Sequence, residues 1–467
     1  MKVNSYQFKA LQLELQAAKR QIEVIQYSRR TISREFSNYK RRAKKKLKIA
    51  LIVGAPVWIF LLPVVFGLYV IPTAIKYFKK YRVARIMGTD LLDKRLVGKR
   101  LDRTVHNAFI IYHTVGGNGG LAAAKRELAS NVEGISPGTV DLFDAMDAKG
   151  DSDWLDAMNR WCKANDKVAL SLESGDNDRF IRINFEPLPA VESPHLITVI
   201  MPCYNCAGTI TKSVQSILNQ SWRNIEVIAV DDNSTDGTLE ILTQIAKLDP
   251  RVRVIKNSVN VGPYVCKNRA LTLARGAYVT GHDSDDLAFP DRLAQQMAPI
   301  LTDARCKATI GYSLRVDNFG NLIWPPISKS IYNYDGVLRL ASISLLIERK
   351  TFDELLGFWD SVRVAADSEM LERIMDAMPE AISLVKSCGN LLLTHDGSLT
   401  QNVKSGLSLI SGHADVRENY KKAYRAWHSR TNKNERQLSF PPNPRLFDVP
   451  EKIEVPLQDI FELIIND

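Results

Sequence analysis

The sequence predicts an α/β fold around a mostly parallel central sheet, and three observations carry that prediction. Three apolar, β-branched runs, ITVIM (197–201), IEVIAV (225–230) and AYVTG (277–281), have the length of buried strands. Helix-period segments lie between them: Ile210, Val214, Ile217 and Leu218 recur at helical spacing, and 238–247 is a second candidate helix. Each run ends in turn chemistry, PCYNCAG after the first, DDNSTDG after the second and HDSDD after the third. Alternating strands and helices imply a parallel sheet. Ligands of such sheets sit beyond the carboxyl ends of the strands. Here two of the three ends carry clustered carboxylates.

Asp283 and Asp285 flank Ser284 in the last of these turns. Two like charges so close repel unless something neutralises them. A solvated acidic loop is the ordinary reading of such a triplet. A divalent cation is the alternative, because Mg²⁺ is typically held by one or two carboxylates plus substrate phosphates. In order along the chain, P-x-Y-N, V-D-D-N-S-T-D-G and D-S-D-D-x-x-x-P-D-R-L resemble glycosyltransferase family 2 with its GT-A fold. The resemblance covers 196–400, under half of the chain. It implies a nucleotide-sugar-binding GT-A domain over 191–425, inverting transfer to a hydroxyl, and Mg²⁺ or Mn²⁺ as cofactor.

The resemblance also assigns expected roles residue by residue. Pro202, Tyr204, Asn205 and Asp232 fall where the family holds the nucleoside, although Asp232 also lies in a stretch rich in helix-capping residues. NVGPYVCKNRAL (260–271) resembles N-x-G-x-x-x-A-R-N-x-A-L, with Lys267 in place of the usual Arg and Asn268 matching directly. Lysine keeps the charge near phosphate but loses the bidentate fork. Asp285 is the expected direct metal ligand, with Asp283 nearer the ribose or a metal-bound water. His395, in LLLTHDGSLT, is a further candidate for the metal or the diphosphate, against a structural role. Asp367 is the expected catalytic base; where the family often has Glu-Asp, this chain has Ala366-Asp367. Helix capping is the plain alternative for Asp367, as core packing is for Phe358 and Trp359.

The N-terminal part differs in composition. Residues 1–48 carry 14 Lys+Arg against 3 acids and 76–100 carry 9 against 2, so the basic character of the chain (net charge +10) resides there. These blocks flank 27 uncharged residues, Ile49 to Ile75, which favours anionic lipid headgroups over nucleic acid as the partner. That run is long enough to cross a membrane. Pro63 divides it into halves reaching about 18 Å each, so a re-entrant hairpin competes with a single kinked span. Nucleotide sugars are cytosolic, so the expected location is the cytoplasmic (inner) membrane with 195–400 facing the cytosol. Upstream, Phe8, Leu11, Leu15, Ala18, Ile22, Ile25, Ile32 and Phe36 follow a heptad seam, which suits either a homo-oligomeric coiled coil over 8–36 or an amphipathic helix.

Between 76 and 190 the sequence predicts a small, mainly helical region. TVDLFDAMDA and DWLDAMNRWCKA read as helices, GGNGGLA (116–122) as a glycine-rich turn, and 168–186 as a hairpin. The six scattered cysteines fit a reducing compartment. Residues 426–467, with FPPNPRLFDVP, read as an extended tail against the domain. The expected donor is a nucleoside-diphosphate sugar, a UDP-sugar first. The expected acceptor is a glycan or lipid-linked hydroxyl, in bacterial cell-surface polysaccharide synthesis. A non-catalytic membrane scaffold and a nucleotidyltransferase are the rival readings. The turn PCYNCAG lacks the glycine-rich, basic loop that a nucleotidyltransferase usually carries after its first strand.

Overall fold

The computed structural model describes residues 108–109, 111–112, 117–129, 136–175, 178–323, 337–395, 407–408, 412–413 and 415–465. The expected coiled coil (8–36) and apolar segment (49–75) lie outside the described residues. Among the described residues no helix is long and apolar enough to cross a membrane. Two compact units divide the chain, one holding 108–129 and the other 136–408 and 413–465.

The first unit contains helix α1 (Gly117–Ala129). The glycine-rich turn expected at 116–122 is the beginning of this helix. Leu, Ala, Lys, Arg and Glu from Leu121 onward are strong helix formers. Gly120 fits because a Cβ there would lie 2.7 Å from the Tyr112 carbonyl oxygen.

In the second unit, α2 (Thr139–Asp147) and α3 (Asp151–Ala164) are the two predicted amphipathic helices. They bury Leu142, Phe143, Trp154, Met158 and Trp161. Strands β1 (Leu170–Leu172) and β2 (Ile183–Phe185) form the predicted antiparallel hairpin. Several contacts fasten this region to the loops of the main sheet. Trp154 Nε1 donates to the Gly320 carbonyl (3.3 Å), Arg179 donates to the Phe319 carbonyl (2.6 Å), and Lys167 pairs with Asp291 (2.8 Å).

The main sheet begins with β3 (Ile197–Cys203), β4 (Ile225–Asp231), β5 (Val252–Lys256) and β6 (Tyr278–Gly281), the first, second and last being the three predicted strands. Their order is β5-β4-β3-β6, all parallel. Helices α4 (Ile210–Leu218), α5 (Thr238–Leu248) and α6 (Pro263–Leu273) make the crossovers. Both faces are covered. Ile197, Val199 and Met201 pack in one apolar cluster with Ile210, Val214 and Leu242, while Ile200, Ile228 and Val230 pack in another with Val265 and Ala270. Burial on both faces is why these strands read as continuous apolar runs rather than alternating ones.

Beyond β6 the sheet is mixed rather than parallel. It comprises β7 (Leu287–Ala288), β8 (Ala308–Val316), β9 (Arg339–Leu340), β10 (Leu346–Glu348) and β11 (Ile382–Leu393), with α7 (Arg292–Thr302) between β7 and β8. β10 is antiparallel to both β6 and β8, and β11 is parallel to β8. β9 and β10 pair along β8 in the same sense, Arg339 opposite Ser313 and Leu346 opposite Thr309. A 3-10 turn at Ser342–Ser344 interrupts them. That interruption takes Ser342 out of the ladder.

Helix α8 (Ala366–Ala377) follows, and α9 (Asp415–Arg430) and α10 (Leu457–Ile465) close the unit. The C-terminal segment packs on the domain and ends in a helix rather than remaining extended. Tyr420, Tyr424, Trp427, Phe447, Ile453 and Ile460 join the cluster beneath α6 and α8. A buried ionic group ties α8 to α9: Glu369 pairs with Arg373 (2.9 Å) and His428 (3.0 Å). Burial alone would raise the Glu369 carboxyl, but the Arg373 charge and the His428 bond outweigh it and hold it below its ordinary range. Removing one member of a buried pair typically costs about 3–5 kcal/mol. Glu369→Gln is therefore expected to lower the melting temperature at pH 7. The depressed folded-state value makes this stabilisation fully present above the ordinary glutamate range, about pH 4.3, and lost as pH falls further. Thermal melts should show the gap between wild type and variant closing only on that acid side.

Candidate active site

The carboxyl ends of β3, β4 and β6 converge, and each carries a turn predicted to bind. Pro202 is the penultimate residue of β3 and half-buried. Tyr204 is 52% exposed, unusual for its size, and its ring is open to solvent beside the sheet end. Asn205 adopts φ +48°, and its Oδ1 accepts from the Thr235 N–H (2.8 Å) while its own N–H donates to Ser234 Oγ (3.1 Å). The first two turns are thereby stitched together.

Asp232 is not a helix cap. The N-cap of α5 is Gly237, with no side-chain cap, and the neighbouring Asp236 accepts from the Thr238 N–H (3.1 Å) and hydroxyl (2.6 Å). The Asp232 carboxylate is buried and accepts from Asn257 Nδ2 (2.7 Å) and the N–H groups of Val261 (3.0 Å) and Gly262 (2.7 Å). Gly262 sits at φ +84°, where a side chain would be strained, and so lets the chain turn its N–H onto that carboxylate before α6 begins.

Along α6, the two residues of the K-N pair face different tasks. Asn268 is fully buried and locked to Trp359: its Nδ2 donates to the Trp359 carbonyl (2.8 Å) and the Trp359 N–H donates to its Oδ1 (3.0 Å). It braces the loop before α8 and presents no free polar group to the site. Lys267 turns the other way. Its ammonium lies 5.0 Å from the Tyr264 ring centroid and 6.0 Å from that of Trp359. It lines one cavity with Ser342, Asp367, Gly281 and Trp359. Phe358, the other aromatic singled out in the sequence, packs on Phe440 instead.

The acidic turn after β6 is anchored by two hydroxyls that sequence reasoning did not single out. Thr209 donates to the Ser284 carbonyl (3.0 Å) and Ser213 to the Asp283 carbonyl (2.9 Å). Burial pushes Asp283 up to about 6; nearby Asp285 and Asp367 push the same way, and Lys267 and Arg315 pull against them. Asp286, accepting from the Leu393 N–H (2.9 Å), is pushed well above its ordinary range by burial and by Asp285 and Asp283. His395 Nε2 lies 3.1 Å from Asp285 Oδ2. His282 stands apart from this chemistry. It is buried, its value is driven down by burial and the Arg292 charge, and it bridges Arg292 and the Asp286 carbonyl.

These residues fit a divalent cation in one specific way. Among the described residues no three His, Cys, Asp or Glu side chains are gathered into a ready-made metal cage. Asp283 and Asp285 are crowded by like charge, and a cation would relieve that crowding. Two carboxylates completed by substrate phosphates is a usual arrangement for Mg²⁺.

Asp367 is the second residue of α8, one beyond Ala366 and two beyond the N-cap Ala365 at φ +73°. A non-glycine residue held there costs on the order of 1 kcal/mol, and the bend aims Asp367 into the cavity. Tyr264 donates to Asp367 Oδ1 (2.8 Å) and Ser342 to Oδ2 (2.6 Å). Burial would raise this carboxyl; the Ser342 bond, the Lys267 charge and the Tyr264 bond outweigh burial and hold it below its ordinary range. Neither Tyr264 nor Ser342 was legible as a partner. Each is distant in sequence from Asp367, and only the interruption between β9 and β10 brings Ser342 there.

Residues 198–346 match the family model described as glycosyl transferase family 2. That match takes in the three strand ends, Lys267 and Asp285, and stops before Asp367 and His395. The chain is 36% identical over 163 residues to TuaG of Bacillus subtilis (strain 168), named for teichuronic acid biosynthesis; this covers 33% of the chain and 63% of the relative. It is 42% identical over 126 residues to EpsE of the same organism, named as a glycosyltransferase, covering 27% and 45%. It is 39% identical over 102 residues to WfaP of Escherichia coli, covering 22% and 40%. WfaP is named as a UDP-Glc:α-D-GlcNAc-diphosphoundecaprenol β-1,3-glucosyltransferase. The chain thus spans less than two thirds of the length of each of these relatives.

Proposed function

We propose, from the match of residues 198–346 to the glycosyl transferase family 2 model, that the chain moves a sugar from a nucleoside-diphosphate sugar to a hydroxyl of a glycan or lipid-linked acceptor, with inversion, in bacterial cell-surface polysaccharide synthesis. The observation that carries this reading is one cavity holding an ionised, doubly bonded Asp367 beside Lys267, with Asp283 near enough to feel both charges. The WfaP name supports a UDP-sugar as donor and a lipid-linked acceptor.

The roles divide as follows. Tyr204 offers an exposed ring to the nucleobase, and Asp232 shapes the loop that closes the nucleoside end. Lys267 supplies positive charge to the diphosphate. A bound Mg²⁺ or Mn²⁺ would neutralise charge developing on the departing diphosphate. Asp285 and Asp283, with His395, are the residues that would hold it. Asp367 receives the acceptor hydroxyl proton as the oxygen bonds to the anomeric carbon and the carbon–oxygen bond to the diphosphate breaks. A weakly basic carboxylate suffices, because the hydroxyl becomes strongly acidic only as the new bond forms. The Tyr264 and Ser342 bonds keep both carboxylate oxygens oriented until then.

Binding comes first in testing this reading. Isothermal titration of the full chain with UDP-sugars and Mn²⁺ is expected to give saturable binding that weakens when EDTA replaces the metal. Absence of binding for UDP-, GDP- and TDP-sugars alike would overturn the donor assignment.

The location follows from the donor. The proposed location is the cytoplasmic membrane, with 195–400 and the basic segment 1–48 both on its cytosolic side. Single cysteines at Ser5 and Ser37, in a background without native thiols, are expected to resist an impermeant reagent applied to intact cells. Labelling of both would establish a single span with an external N-terminus.

A further inference from the structure

We propose that Arg315 and Arg339 form an oxyanion site for the acceptor, taking a carboxylate or phosphate that it carries. The proposal rests on the glycosyltransferase reading above. Arg339 stands opposite Ser313 in the antiparallel pair of β8 and β9, and Arg315 follows Ser313 by two residues. Strand alternation therefore puts both side chains on one face, as diagonal neighbours.

Neither guanidinium has a hydrogen bond or ion pair among the described residues, and Arg315 Nε is buried with no partner at all. Other sheltered arginines of this unit each keep at least one bonded guanidinium nitrogen, even where Nε makes no hydrogen bond, as in Arg269, Arg349 and Arg445. Arg292 donates to Thr280 Oγ1 and the Gly281 carbonyl, and Arg373 to Glu369 and the Phe358 carbonyl. Two sheltered cations side by side with no anion bonded to either are unfavourable on both counts. Burial, and then the Arg315 charge, push Arg339 down to about 10. An oxyanion between them removes the repulsion and satisfies the orphaned donor. The planar fork of arginine matches carboxylate and phosphate alike.

Position favours the acceptor over the donor diphosphate. The turns expected to hold the nucleoside end β3 and β4, whereas β8 lies on the other side of β6 and β10. Arg339 leads within three residues to Ser342, whose hydroxyl holds Asp367. The arginines thus sit on the side of the residue that takes the acceptor proton. Arg315 also faces the charges of Asp283 and Asp286, which limits how far an anion can advance towards the acidic turn.

The test titrates the full chain, with and without UDP and Mn²⁺, with three probes: methyl glucuronide, N-acetylglucosamine 1-phosphate and neutral methyl glucoside. At least one anionic probe is expected to bind about tenfold or more tightly than the neutral one, the effect of a charge-assisted bond. Whichever probe wins identifies the acid as carboxylate or phosphate. Arg339→Gln and Arg315→Gln are expected to abolish the preference, and Arg339→Lys to restore part of it, with UDP affinity held within about twofold. The proposal is overturned if wild type shows no preference, if the glutamine variants keep it, or if they lose UDP affinity as strongly as anion affinity. That last result would assign the arginines to the donor diphosphate. Failure of wild type to bind UDP would contradict the donor reading instead, and the titrations without UDP would still judge the arginines.

Discussion

Replacing Asp367 with asparagine is expected to lower turnover by about 10²–10⁴-fold, the usual contribution of a positioned general base, while donor affinity stays within about twofold. Asparagine preserves volume and can still accept from Tyr264 or Ser342, so the cavity wall stays in place. Only the capacity to receive a proton is lost. Because Ser342, Lys267 and Tyr264 hold the Asp367 carboxyl below its ordinary range despite burial, the base is ionised throughout the neutral range. Activity governed by it should fall only on the acid side of ordinary carboxylate values. Steady-state rates and UDP titrations on one preparation check both halves. An equal loss in kcat and in donor affinity would show that Asp367 holds the nucleotide or the fold rather than the proton.

Replacing Asp285 with alanine is expected to abolish transfer and to remove the tightening of UDP binding by Mn²⁺. Asp285 is the carboxylate that reaches His395. Asp283 is raised by burial and neighbouring carboxylates, and a cation beside it would favour its ionised form. Losing Asp285 halves the protein's carboxylate contribution to the cation and leaves only Asp283, whose carboxyl burial raises, beside the substrate phosphates. Titration of UDP with and without Mn²⁺ reads this apart from activity. Equal tightening in the variant and the wild type would remove Asp285 from the metal site.

Much of the parallel half was legible because its strands are buried on both faces, which leaves apolar runs too long to be chance and turn residues at each end. The acidic turn was legible for the same reason, being the end of such a run. The mixed half was not. β9 and β10 are two and three residues long, too short to show a period, and their pairing depends on β8. Asp367 was found through its resemblance to a family motif, but its hydroxyl partners are 103 and 25 residues away in sequence. Asn268 shows the limit of motif matching. It sits at the expected position, yet its amide is turned into the fold to hold Trp359. Arg315 and Arg339 left no local signal, since what distinguishes them is the absence of partners that other buried arginines have. The helix at Leu457–Ile465 did leave one, in the spacing of Leu457, Ile460, Phe461 and Ile464, which the proline-rich stretch before it obscured.

The central claim is that this cavity breaks the bond between a sugar and a nucleoside diphosphate. Its most direct test is release of the nucleoside diphosphate from a panel of nucleotide sugars, by wild type and by Asp367→Asn, with Mn²⁺ and with EDTA. The prediction is release from at least one donor by wild type with Mn²⁺, none in EDTA, and strongly reduced release by the variant despite donor binding. No release from any donor, or release that proceeds equally in EDTA and in the variant, would contradict it.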